Sequence, residues 1–133
     1  MSDPQAIDWL TKDEILAVHE QVLAAHGGSA GIRDEGLLES ALGRPRQLAS
    51  YGQGDLFDWA AAYAHGIANN HPFVDGNKRT AFVAAALFLE SNGWRVMAPE
   101  EDVVRMMLGV ADKSVPQEAV AQWLREQTEQ VKR

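Results

Sequence analysis

Apolar residues recur at helical spacing in about six blocks along this chain, separated by short polar or glycine-containing breaks. Thr11-Lys12-Asp13-Glu14 is a capping-box pattern, with Thr11 at the N-cap and Glu14 reaching back. Ile15, His19, Val22, Leu23 and His26 follow at helical spacing, and Gly27-Gly28 stops that helix. Asp34 caps a second, shorter helix carrying Leu37, Leu38, Ala41 and Leu42, which Gly43 and Pro45 are expected to end. After the Gly52-Gln53-Gly54 loop, Asp55 caps a long helix with Leu56, Ala60, Tyr63, Ala64 and Ile67 on its apolar face. Asn69-Asn70 closes it.

The block from about Lys78 to Asn92 is apolar nearly all round, which predicts a central helix buried by its neighbours, Leu87 included. Asn92-Gly93 ends it, and Trp94-Arg95-Val96 reads as a short extended piece. Pro99 opens a helix with Glu100, Glu101 and Asp102 in its first turn and Val103, Val104, Met106 and Met107 further on. Ser114-Val115-Pro116-Gln117 reads as a second capping box, before a last helix that turns Val120, Trp123 and Leu124 inward. Residues 1–10 read as an N-terminal extension, and the polar tail 126–133 is expected to fray. The expectation is an all-α fold: residues 1–133 as one compact helical domain, the central helix following a polar loop.

That loop concentrates the chemistry. His71-Pro72-Phe73-Val74-Asp75-Gly76-Asn77-Lys78-Arg79-Thr80 packs an imidazole, a carboxylate, a Gly-Asn turn and two cations between two alanine-rich helices. A loop that opens into a helix presents free N–H groups and the positive end of the helix dipole, which favours phosphate. His71 either serves as a general base or caps the preceding helix end. Asp75 caps the next helix or holds Mg²⁺, roles that use the same position. Gly76-Asn77 lets backbone N–H groups converge on an anion. Lys78 and Arg79 lie in the first helical turn, where cations oppose the dipole, so their placement suggests a compensating anion. Phe73, between polar residues, plugs the loop into the core. The pattern suits phosphoryl or nucleotidyl transfer.

Composition narrows the alternatives. The 133 residues carry a net charge of −7, which argues against general nucleic-acid binding. No cysteine is present, so disulfides and thiolate metal sites are excluded. No apolar run approaches the roughly 18 residues of a membrane span, and the polar, acidic start does not resemble a signal peptide, so a cytoplasmic location is expected. His19, His26 and His65 read as structural or surface residues, without the spacing of a zinc site. Arg33, Arg44 and Arg46 read by default as solvated surface, with nucleotide or partner contact as the other reading. Met106, Met107 and the four tryptophans read as core.

At the loop the chain resembles the Fic/Doc superfamily and, within it, the death-on-curing (Doc) toxin branch. The Fic pattern H-x-F-x-(D/E)-G-N-G-R-x-x-R is matched at His71, Phe73, Asp75, Gly76, Asn77 and Arg79. The resemblance runs from Leu10-Thr11 to Gly93 and includes Gly27-Gly28, Gly31-Ile32-Arg33-Asp34, Ala41-Leu42-Gly43-Arg44 and Leu87-Phe88-Leu89-Glu90. Lys78 replaces the second motif glycine, and Phe82 stands where Fic enzymes carry a second arginine. The Doc branch shares both departures.

The resemblance therefore implies a toxin that transfers the γ-phosphate of ATP, with Mg²⁺, to a threonine of the translation elongation factor that delivers aminoacyl-tRNA. It implies His71 as base, Asp75 on the metal, and Gly76, Asn77, Lys78 and Arg79 on phosphates. It also implies an antitoxin whose C-terminal segment folds onto the toxin; no internal S/T-x-x-x-E-G/N inhibitory motif stands out. Two alternatives stay open: a Fic-type adenylyltransferase, and a non-catalytic module that only grips a partner.

Overall fold

The computed structural model describes residues 6–131. Six helices follow one another: α1 (Lys12–His26), α2 (Glu35–Ser50), α3 (Leu56–Asn70), α4 (Asn77–Ser91), α5 (Glu100–Ala111) and α6 (Gln117–Gln127). Two short strands, β1 (Trp94–Val96) and β2 (Thr128–Gln130), form an antiparallel pair. Among the described residues, no helix is long and apolar enough to cross a membrane.

Local chemistry starts the first three helices. The Thr11 hydroxyl accepts the Glu14 N–H while the Glu14 carboxylate accepts the Thr11 N–H. Asp34 accepts the Leu37 N–H, and Asp55 with Asp58 forms a second reciprocal cap. Each such cap satisfies N–H groups that the helix itself cannot. The Arg125 guanidinium on α6 reaches the same two carboxylates. Burial raises the Asp55 carboxyl, but its hydrogen bonds to Asp58 and its pairing with Arg125 outweigh this and hold it below its ordinary value.

Helix α4 lies at the centre together with α3. α4 packs against α1, α3, α5 and β1, while α3 packs against α2, α4, α5 and α6. Ala81, Ala84, Ala85, Phe88 and Leu89 are fully buried. Leu87, expected in the core, is only partly buried, and Val83 is exposed because that side of α4 opens on a groove. Tyr63 of α3 packs on Phe88 and accepts the Leu10 N–H at 3.2 Å; burial pushes its phenol up to about 12.

Three local expectations are corrected. Helix α2 does not stop at Gly43 and Pro45 but runs on to Ser50, with Pro45 buried inside it. Leu38, Ala41 and Pro45 share one buried stripe at helical spacing, so packing outweighs the hydrogen bond a helical proline forfeits. The second capping box is absent, since Pro116 is the N-cap of α6 and the Ser114 hydroxyl donates instead to Gly109 O. The tail expected to fray forms β2: Thr128, Glu129 and Gln130 pair with Val96, Arg95 and Trp94. Residues 132 and 133 lie outside the described part, as do residues 1–5 of the N-terminal extension. The rest of that extension is docked, with Leu10 buried and Trp9 stacked on Phe88.

Candidate active site

The motif loop connects the two central helices. Helix α3 ends at Asn70, and His71 is its C-cap with φ +49°, in the left-handed region. Histidine is one of the few non-glycine residue types enriched there. The His71 N–H donates to Ile67 O at 3.2 Å, and its side chain is exposed. Arg33, read from sequence as surface, closes this helix end. Its Nε donates to His71 O at 2.6 Å and its Nη2 to Asn70 O at 2.8 Å. A guanidinium suits the negative end of the helix dipole and occupies carbonyls that α3 leaves unpaired.

The segment before α2 then runs alongside the loop. The Arg33 and Asp34 N–H groups both donate to Pro72 O, Ile32 bridges to Phe73, and the Val74 N–H donates to Gly31 O. Phe73 is buried, and its ring stacks on that of His19, centroids 3.8 Å apart at 9°. Asn77 holds the loop from the other side. Its Oδ1 accepts the Phe73 N–H at 3.0 Å and its Nδ2 donates to Phe73 O at 2.9 Å. With its side chain committed to the loop, Asn77 has a backbone N–H to offer a ligand.

Asp75 does not cap α4, whose N-cap is Gly76 at φ +79° with no side-chain cap bond. The Asp75 carboxylate instead accepts the Ser29 N–H through Oδ2 at 2.7 Å. The start of α4 thus has neither a capping side chain nor an acid in its first turn, only Lys78 and Arg79, both exposed. Arg79 pairs with Glu100 at 3.1 Å, while Lys78 makes no ion pair among the described residues. Beside them lies an open hollow of about 350 Å³, lined by Gly28, Asp75, Gly76, Asn77, Lys78 and Arg79 among others. His71 does not line it. Uncapped helical N–H groups and two cations are the kind of groups that attract an anion.

Among the described residues no three His, Cys, Asp or Glu side chains converge as a metal cage. Mg²⁺ nevertheless fits the donor set. That ion is commonly held by one or two carboxylates with substrate phosphates and water, and Asp75 is one carboxylate on the edge of this hollow.

Residues 9–89 match the family model described as Fic/DOC family. The chain belongs to the Fic/DOC family. It is 34% identical over 117 residues to the protein named Protein kinase doc of Escherichia phage P1, covering 87% of this chain and 92% of that protein. It is 38% identical over 120 residues to Toxin Doc of Mycolicibacterium smegmatis, covering 86% of this chain and 88% of that protein.

The two departures from the Fic pattern have distinct surroundings in this Fic/DOC chain. Lys78 lines the hollow, adding a charged side chain where the pattern has glycine. Phe82 is half-buried, lies 6.2 Å from the Trp123 ring, and lines an adjoining groove rather than offering a guanidinium. Sequence reasoning missed His19 and Arg33 as residues of the site. Both act on partners far away in the chain, and the one available signal was a polar His19 on the apolar face of α1. His65 lies elsewhere, in a hollow with Arg44 and Asn70; burial holds its imidazole below the ordinary value.

Proposed function

We propose that this Fic/DOC chain is the toxin of a toxin–antitoxin pair. It acts as a Doc-type protein kinase that moves the γ-phosphate of ATP to a threonine of the translation elongation factor, in the cytoplasm. The observation that carries this reading is the hollow at the start of α4, with Lys78 and Arg79 lining it, Asp75 on its edge and no second arginine at position 82. The two relatives, named as a Doc protein kinase and a Doc toxin, support it.

In this reading Lys78, Arg79 and the first-turn N–H groups from Gly76 and Asn77 hold the phosphates. Asp75 holds Mg²⁺, which when bound neutralises phosphate charge. His71 takes the proton from the target hydroxyl as its oxygen bonds to the γ-phosphorus and ADP leaves. Positioning and charge stabilisation supply most of the acceleration in such reactions. Arg79 exchanges Glu100 for a phosphate oxygen at little cost, because an exposed ion pair contributes only about 0–1 kcal/mol.

The antitoxin's C-terminal segment is assigned to the groove of about 330 Å³ between α4 and α5, lined by Phe82, Val83, Val104 and Leu108 among others. Binding of that segment should show a negative heat-capacity change. A value near zero with unlabelled antitoxin would remove the assignment.

Two variants separate the roles within the hollow. Asp75→Ala is expected to weaken Mg²⁺-dependent ATP binding, measured by calorimetry with and without the metal. Lys78→Gly is expected to impair γ-phosphate transfer without unfolding the protein, as read by circular dichroism. The overall test is mass spectrometry of the elongation factor after incubation with ATP and Mg²⁺. A phosphate on threonine is the expected adduct. An AMP adduct would make the chain an adenylyltransferase. No adduct from folded, antitoxin-free protein would leave a partner-binding module.

A further inference from the structure

We propose that His19 is a positioning residue that fixes Asp75 from behind, together with the turn that follows α1. The inference rests on the reading of Asp75 as the metal-holding carboxylate. His19 is only 6% exposed, yet it sits on the face of α1 that packs toward the motif loop. Its Nε2 lies 2.8 Å from Asp75 O. A carbonyl oxygen only accepts, so Nε2 carries the proton and donates it. The ring is held flat against Phe73, so the direction of that N–H is set by packing.

Asp75 lies in an exposed loop next to a glycine at φ +79°, where nothing in its own segment fixes the carboxylate. Two groups from α1 and its following turn do so. His19 holds the Asp75 carbonyl, and the Ser29 N–H holds Oδ2 at 2.7 Å. The turn comes so close that a Cβ on Gly28 would meet Asp75 Cβ at 3.1 Å, and Gly28 has φ +120°. Main chain and carboxylate are thus each held by one donor, and Oδ2 is turned toward Ser29. Groups that hydrogen-bond a ligating side chain, as the Ser29 N–H does, typically change metal affinity about 10–100-fold when removed, and His19 acts on the same residue through its main chain.

A purely structural His19 and a positioning His19 respond oppositely to two substitutions. His19→Phe keeps the stack on Phe73 and loses the donor. His19→Gln keeps a donor and loses the ring. The expected result for His19→Phe is Mg²⁺·ATP binding weakened about 10-fold or more in calorimetry by a protein that circular dichroism shows to be folded, the lost hydrogen bond lowering its melting temperature. His19→Gln is expected to recover most of the binding. Long-range ¹H–¹⁵N spectra of the parent should show His19 in the Nε2–H form, and Asp75→Ala, which retains the carbonyl, should leave that signal in place.

Parent-like Mg²⁺·ATP binding by folded His19→Phe, beside a defective Asp75→Ala, would overturn the role of His19 and leave that of Asp75 intact. Parent-like binding by Asp75→Ala would overturn both. An Nδ1–H tautomer at His19 would overturn the hydrogen bond itself, even if His19→Phe failed to fold.

Discussion

Replacing His71 is expected to slow transfer to the protein hydroxyl by about 10²–10⁴-fold while leaving ATP binding largely as it was. The separation follows from the geometry. His71 stands at the C-cap of α3 and does not line the hollow, whose cations and carboxylate belong to the first turn of α4 and to Asp75, the residue before its N-cap. The choice of substitution matters, because residue 71 has φ +49°. Alanine is strained there, whereas asparagine tolerates the left-handed region and lacks a basic nitrogen. His71→Asn and His71→Ala should therefore lose comparable rates, with the asparagine variant melting closer to the parent. Single-turnover γ-phosphate transfer read beside Mg²⁺·ATP calorimetry checks both halves. A folded His71→Asn protein with parental turnover would remove His71 from the chemistry.

Phe88→Ala is expected to cost about 3–5 kcal/mol of stability, as for other aromatic residues emptied from a core. Phe88 is fully buried in α4, with Trp9 stacked on it at 5.5 Å and Tyr63 at 5.1 Å. Truncation leaves a cavity where α3, α4 and the N-terminal segment meet, and removes support from the tyrosine whose hydroxyl accepts the Leu10 N–H. Leu87→Ala, at a partly buried site, should cost less. Urea unfolding midpoints of the two variants give the comparison. A Phe88→Ala protein within about 1 kcal/mol of the parent would mean that the site closes up and that α4 is not the fixed centre of the fold.

The contrast between these two residues separates what is local from what is not. Helix starts at Thr11, Asp34 and Asp55 were legible because a capping oxygen and the backbone N–H that donates to it lie within three residues of each other. The end of α2 was not, because Pro45 is a helix breaker by its own chemistry and is overruled by a buried stripe it shares with Leu38 and Ala41. The tail from Glu126 is polar, with nothing local to predict order. It is placed by backbone hydrogen bonds to β1, more than thirty residues away.

The same division runs through the site. The order of residues from His71 to Arg79, together with helices on both sides, was enough to place an imidazole, a carboxylate and two cations on one loop that opens into a helix. Charge and helix-dipole chemistry act within a few residues, so they can be read along a chain. Which atoms hold that loop in shape depended on folding. Arg33 closes α3 from 37 and 38 residues away, Ser29 binds Asp75 across 46, and His19 reaches its carbonyl across 56. The sequence by itself determined what chemical groups the loop carries. The tertiary structure alone decided how they are aimed, because the donors that aim them are unremarkable surface or core residues until the packing of α1 and the α1–α2 segment brings them within 3 Å of the loop.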